Sequence, residues 1–303
     1  MRAREVTAIG KVTWVTVGAE TQITDLTIRD HACLTFGEPE ELLDLTAAFV
    51  RDGLAEGQRV VWLAEEPQRR LAELARRGVA PHETVSAGRM VVMACQGALL
   101  DGQAFAVERA MRWFRDQMAH TSGEGYPGLR VALDMSWALQ PLAGIEQLPA
   151  FEEEIAATLA GTSTAVLCQY DRVRFDPVTL ASVSGYHTRS VAAATYHHDA
   201  LLRICRQYAP PGIRLAGQLD RGAEAALGLA LSEAIRLDGD ITVTMGELSF
   251  VDLYCARMIM DAARSLSPPR TVTLHCNPSI SSRFLLLGAG AAPGISLVTV
   301  DDR

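Results

Sequence analysis

The stretch His31-Ala-Cys-Leu-Thr-Phe-Gly-Glu-Pro-Glu-Glu-Leu-Leu-Asp44 decides the fold. Residues 31–36 read as a strand. Gly37 and Pro39 then make a turn, and Leu42, Leu43, Leu45, Phe49 and Leu54 supply the buried face of a helix over 39–55. Working outward, strands are expected at 59–64, 90–95, 129–135 and 163–170. Helices are expected between them, one closing at Gly78 and others over 104–119 and 146–160. Strands that are continuous apolar runs, separated by helices, belong to a mostly parallel sheet covered on both faces.

The second half repeats the pattern on a smaller scale. The stretch 186–209 is expected to be helical and connecting, ending at the breaker Pro210-Pro211-Gly212. Strands at 213–219, 240–245, 271–276 and 295–300 then alternate with helices at 223–237, 252–266 and 278–288. The expected division is an N-terminal extension over 1–24, an α/β domain over 25–190, a helical connector over 191–212 and a smaller α/β domain over 213–303. In the extension, Val12, Trp14, Val15 and Val17 fit either an edge strand or a loose tail.

A chain of 303 residues, 49% hydrophobic and 21% charged, has apolar material for two buried cores. A net charge of −8 argues against a nucleic-acid surface. No apolar run reaches the roughly 18 residues of a membrane span, and no signal peptide opens the chain. A cytoplasmic protein is expected, with no membrane or direct nucleic-acid partner. The six cysteines form no CxxC pair and read as free buried thiols. Lys11 is the only lysine.

From His31 to Glu66 the chain resembles the start of a RecA-like ATPase domain, with Arg130-Val-Ala-Leu-Asp134 where a magnesium-binding strand would end. The phosphate loop is degenerate. Counted from Gly37, its second glycine, lysine and hydroxyl positions hold Leu42, Leu43 and Asp44. Glu38, Glu40 and Glu41 occupy the helix N-terminus whose positive dipole end would attract phosphate. ATP hydrolysis is not expected.

Ligands of such sheets sit beyond the carboxyl ends of the strands. That rule points to Phe36, Glu65, Asp134, Trp137, Tyr170 and Arg172 as pocket residues, although each alone also fits a core or capping role. His31 and Cys33 share one face of their strand. They could begin a metal or haem site with Cys168, but no second clustered ligand pair is visible, so a hydrogen-bonded histidine with no metal and no cofactor is the expectation. The region over about 25–185 resembles a MEDS domain. The resemblance rests on His31-Ala-Cys33, Gly37 with its acidic run, Phe49-x-x-x-Gly-Leu54-x-x-Gly57, Asp134-Met-Ser-Trp137 and Cys168-Gln-Tyr-Asp171-Arg172-x-x-Phe175. It implies a degenerate RecA-like fold that senses a small molecule, a hydrocarbon derivative by the family's proposed role.

Residues 213–300 resemble a STAS domain, the fold of bacterial anti-sigma-factor antagonists. The matching pieces are Ile213-Arg-Leu-Ala-Gly-Gln-Leu-Asp220 and Ile241-Thr-Val-Thr-Met-Gly-Glu-Leu-Ser-Phe-Val-Asp252, with the helix from Leu253. In that family a serine follows the aspartate and is phosphorylated. Here the run is Asp252-Leu253-Tyr254-Cys255, without an acceptor hydroxyl in that slot. The two resemblances together imply a non-enzymatic regulator that senses a small molecule and binds an anti-sigma factor or related switch protein kinase, with a homodimer allowed. The rivals are a cryptic enzyme acting in the strand-end crevice and an inert assembly scaffold.

Overall fold

The computed structural model describes residues 19–79 and 82–300. Val12, Trp14, Val15 and Val17 lie outside the described residues. The first domain runs β1 (Ala19–Thr21), β2 (His31–Phe36), α1 (Pro39–Ala55), β3 (Arg59–Leu63), α2 (Pro67–Arg76), α3 (His82–Ser86), β4 (Met90–Met93), β5 (Leu100–Asp101), β6 (Ala104–Phe105), α4 (Val107–Gly123), β7 (Leu129–Asp134), α5 (Leu148–Leu159), β8 (Thr164–Asp171), α6 (Pro177–Ser184) and β9 (Arg189–Val191). Seven strands form one sheet in the order β1-β9-β2-β8-β7-β3-β4, every neighbouring pair parallel. The expected mostly parallel sheet with helices on both faces is what the chain forms.

Alternation along the strands divides two cores. Cys33, Val131, Val166, Cys168 and Tyr170 point to one face, where Phe114, Phe151 and Ile155 of α4 and α5 cover them. Ala32, Leu34, Phe36, Ala165 and Leu167 point to the other, against Leu45, Phe49 and Val50 of α1. His31 therefore faces α5.

The smaller domain runs β10 (Thr195–His198), β11 (Leu202–Tyr208), β12 (Pro211–Leu219), α7 (Glu224–Leu237), β13 (Ile241–Val251), α8 (Leu253–Arg264), β14 (Val272–Cys276), α9 (Pro278–Leu286) and β15 (Ile295–Thr299). Its six strands lie in sequence order; β10, β11 and β12 pair antiparallel and the rest parallel.

The expected helical connector over 191–212 is overturned. The stretch holds the end of β9, then β10 and β11, and Ala209-Pro210 turns β11 into β12 as a tight hairpin with Tyr208 opposite Pro211. The misreading has a physical cause. Arg203 and Arg206 stand three apart, a spacing that fits the solvated side of a helix, yet both are buried because Arg206 forks onto Asp238 and Arg203 reaches Glu38 and Glu41. With those charges paired, Leu202 and Ile204 are left facing the core of the second sheet at a period of two. Gly212 holds φ +149°, and a Cβ there would lie 1.8 Å from the Thr242 carbonyl oxygen, so the hairpin can pass β13 only with glycine.

Candidate functional site

Under α5 lies a polar cluster inside an apolar core. Glu152 is fully buried on α5, and Phe151, Glu152, Ile155 and Leu159 form its inward stripe. Its Oε2 stands 3.1 Å from His31 Nε2 on β2, 3.5 Å from Cys168 Sγ on β8 and 3.5 Å from His187 Nε2 in the turn after α6. Cys168 Sγ is 3.5 Å from His31 Nε2, and the two imidazole rings lie 4.1 Å apart at their centroids. The other carboxylate oxygen, Oε1, accepts a short hydrogen bond from the Tyr170 hydroxyl. The four donor groups of His31, Glu152, Cys168 and His187 all fall within 4.8 Å of one another, a span that one metal ion bridges.

The electrostatics follow from this packing. Burial pushes the Glu152 carboxyl up, but His187, His31 and the Tyr170 hydroxyl outweigh it and hold the group down at about 2. Burial likewise lowers His187, opposed in part by Glu152, to about 4. Burial raises the thiols: Cys33 to about 12 and Cys168 well above the ordinary range, with Glu152 adding to both. Burial thus favours the protonated thiol at both positions.

The residues expected at the strand-end crevice do not line one pocket, and the His31–Cys33 pair lies apart from most of them. His31, Cys33 and Tyr170 lie on the α5 face of β2 and β8, where His31 and Tyr170 join the cluster. Trp137 is buried beside them in the core, with its ring against Phe105 at 4.6 Å and Phe151 at 6.3 Å. Asp134 is also buried, and its carboxylate accepts from Ser136 N at 2.9 Å, capping the short turn that follows β7. Phe36 faces the opposite core, Glu65 pairs with Arg174 at 3.9 Å, and Arg172 lies across the backbone of Gly37. Glu152 and His187 were not among the expected residues. Glu152 did carry a signal: it falls on the apolar stripe of its helix, where an unpaired carboxylate is costly.

Beside the cluster opens a cavity of about 560 Å³, lined by Leu139, Leu148, Pro149, Phe175, Val178 and Val183 among others. Phe175 packs on Tyr170 at 5.1 Å, and the Val183 carbonyl accepts from His187 Nδ1 at 2.9 Å. The cavity is thus one residue away from the polar cluster on two sides.

The degenerate phosphate loop is closed by protein. The Glu41 carboxylate accepts from Gly37 N at 3.0 Å, and Arg172 stands 3.6 Å from it. From the second domain, Arg203 reaches Glu38 at 2.9 Å and Glu41 at 3.3 Å, while Arg214 reaches Glu38 at 2.6 Å. One turn further, Asp44 accepts from Tyr208 N at 2.9 Å and Ala209 N at 2.7 Å. Carboxylates and guanidinium groups occupy the helix N-terminus that holds phosphate in nucleotide-binding loops.

Among solved structures, the chain is similar to the flagellar accessory protein FlaH from Methanocaldococcus jannaschii, at 9% identity and a TM-score of 0.42, over 62% of this chain and 83% of that one. It is also similar to a KaiC-like protein from Pyrococcus horikoshii OT3, at 13% identity and a TM-score of 0.43, over 60% of this chain and 79% of that one. No curated protein matches it in sequence. No helix among the described residues is long and apolar enough to cross a membrane. The family described as MEthanogen/methylotroph, DcmR Sensory domain matches residues 30–188, more than half of the chain, and the protein belongs to that MEDS family.

Proposed function

We propose that the protein is a non-enzymatic regulator in which the MEDS domain senses a small molecule and the second domain, STAS-like, binds an anti-sigma factor or related switch protein kinase. The sensed molecule is small and largely apolar, suited to the cavity beside Phe175 and Val183. The raised thiols of Cys33 and Cys168 favour this reading over a cysteine-based enzyme.

The observation that carries the output side is an apolar trio at the end of β13 and the start of α8. Phe250, Leu253 and Tyr254 are 39%, 60% and 38% exposed within five residues of one another. Asp252 caps α8 by accepting from Cys255 N at 2.7 Å, which fixes Leu253 at the first helical position with its side chain outward. In a phosphorylated relative that slot would carry about −1.5 to −2 charges; here it carries an apolar side chain. The interaction surface is therefore expected to work without the phosphate switch. Regulation then passes to the sensory domain through the ion pairs that Arg203 and Arg214 make with Glu38 and Glu41.

The test is titration calorimetry of the full chain against the host's anti-sigma kinases, with Leu253→Asp as the surface variant. Binding of wild type, at least tenfold weaker in the variant and with no mass change on incubation with kinase and ATP, is expected. Absence of binding to every such kinase overturns the output assignment. Phosphate mapped to Ser249 or Tyr254, with loss of binding, shows instead that the switch has moved.

A further inference from the structure

We propose that His31 Nε2, Glu152 Oε2, Cys168 Sγ and His187 Nε2 together bind one zinc ion in a closed, tetrahedral site that ties β2, α5, β8 and the α6–β9 turn into one unit. The proposal is independent of what the cavity senses and of what the second domain binds.

Four observations carry it. The first is donor spacing. Zinc bonds of about 2.0 Å to nitrogen or oxygen and 2.3 Å to sulfur set tetrahedral edges of about 3.3–3.7 Å. The edges here are 3.1, 3.5, 3.5 and 3.5 Å, with all donors inside 4.8 Å. Of the six edges of such a tetrahedron, three are 3.5 Å, the His31–Glu152 edge lies just below the range, and the two from His187 to His31 and Cys168 are held within 4.8 Å.

The second is the direction of the His187 lone pair. The Val183 carbonyl can only accept, so His187 Nδ1 carries the hydrogen. In the neutral ring Nε2 then presents its lone pair to Glu152 Oε2, and Nε2 is buried without a hydrogen bond. Two lone pairs facing each other across 3.5 Å in a dry core are costly unless a proton or a metal ion lies between them, and a metal ion also engages the Cys168 sulfur and His31 Nε2. The same bond from Nδ1 to a backbone carbonyl is the outer contact that ordinarily orients a metal-binding histidine. Tyr170 gives the carboxylate its counterpart by donating to Oε1 and leaving Oε2 to the ion.

The third is charge. A doubly charged ion with one carboxylate, one thiolate and two neutral imidazoles sums to zero, so the site buries no net charge. Binding displaces the Cys168 thiol proton to solvent, and a coordinated thiol stays deprotonated whatever burial does to the free one.

The fourth is closure. All four ligands are buried, none more than 5% exposed. Four protein ligands leave no position for water or substrate, which marks a structural site and not a catalytic one. Its ligands span residues 31 to 187, so it closes nearly the whole MEDS domain, and ligation energy becomes folding energy.

The experiment unfolds the full chain with a chelator and refolds it with Zn²⁺, with Co²⁺ as a spectroscopic stand-in, or with chelator alone, removing free metal afterwards. About one ion per chain is expected, with a tetrahedral cobalt spectrum that includes a thiolate charge-transfer band. The Zn²⁺-refolded protein should melt higher than the chelated one. Cys168→Ser should lose the charge-transfer band, His187→Gln should lose most of the metal, and Cys33→Ser should keep both, because Cys33 is not a ligand. Wild type that refolds to the same melting temperature with chelator and retains no cobalt overturns the proposal without recourse to any variant. A cobalt spectrum unchanged in Cys168→Ser overturns it as well.

Discussion

Two polar regions lie on opposite faces of the same sheet and are built on opposite plans. The cluster around Glu152 draws all its partners from the MEDS domain and lies under α5, sealed from solvent. The acidic N-terminus of α1 is neutralised largely from outside that domain, by Arg203 and Arg214 of the second sheet. The first is suited to holding the domain together, since nothing beyond it need move. The second is suited to transmitting a change, since it exists only while the two domains stay in register. A ligand in the first domain can shift that register only by binding one arrangement better than another.

Glu152→Ala is the strongest way to break this contrast. It leaves two imidazoles, a thiol and the Tyr170 hydroxyl facing a void, and removing one side of a buried charged network costs about 3–5 kcal/mol. The loss should appear in urea unfolding of the full chain as an early transition assigned to the MEDS domain. A loss below about 1 kcal/mol would mean that the cluster does not hold the domain together. Trp137→Ala belongs in the same range, about 3–5 kcal/mol, because that ring is core and not pocket wall.

Arg214→Ala tests the junction. Arg214 is mostly buried and serves Glu38 and Glu247, but Glu38 is 37% exposed, so the buried-pair cost is reduced by solvent to about 1–3 kcal/mol. The distinguishing readout is not the global stability. Hydrogen exchange should rise at β11 and at the first turn of α1 while the β2, β8 and α5 core stays protected. Exchange rising equally across both regions would erase the distinction between them.

Much of this was legible in the sequence, and the misses share one cause. The parallel sheet followed from apolar runs at 31–36, 129–135 and 163–170, because strands buried on both faces need no polar alternation. The protein-filled N-terminus of α1 followed in part from Glu38 and Glu41, which stand where a phosphate loop keeps its helix end open. What escaped were charges whose partners are remote in sequence: Glu152 with His31 and His187, and Arg203 and Arg206 with Glu38 and Asp238. A charge looks solvated until its partner is known. That single ambiguity hid the polar cluster and turned a β-hairpin into an expected helix.

Acid should act on the junction in two steps of opposite sign. Burial raises the Asp44 carboxyl to about 6, against the hydrogen bonds from Ala209 and Tyr208 and the nearby Arg77 and Arg214. The folded state thus takes up a proton before the unfolded state does, and stability rises as pH falls from 7 through 6. Glu38 behaves the other way. Burial pushes it up, but Arg214 and Arg203 hold it below its ordinary 4.5, so its contribution is present above that value and is lost at lower pH. The junction should be tightest between about pH 4.5 and 6, measured as exchange protection at Tyr208 and Ala209. Protection that falls steadily from pH 7 to 5 would remove Asp44 from this account.

The smallest stability effect belongs to the cavity, and it sharpens the comparison most. Ser182 is exposed on α6 and lines the cavity without touching either polar region, so Ser182→Trp should fill the space while changing stability by no more than about 0.5 kcal/mol. Toluene is a suitable probe, because a small apolar molecule stabilises a protein only through the state it binds. Wild type should melt higher with toluene, and Ser182→Trp should not respond. The cavity abuts the cluster through Phe175 and Val183. Toluene should therefore add exchange protection at α5, α6 and the His187 turn before it changes β11. Protection that appears first at β11 would mean that the ligand is read directly at the domain junction and that the cluster is a bystander. Protection confined to α5 and α6, with β11 unchanged at saturation, would disconnect sensing from output altogether.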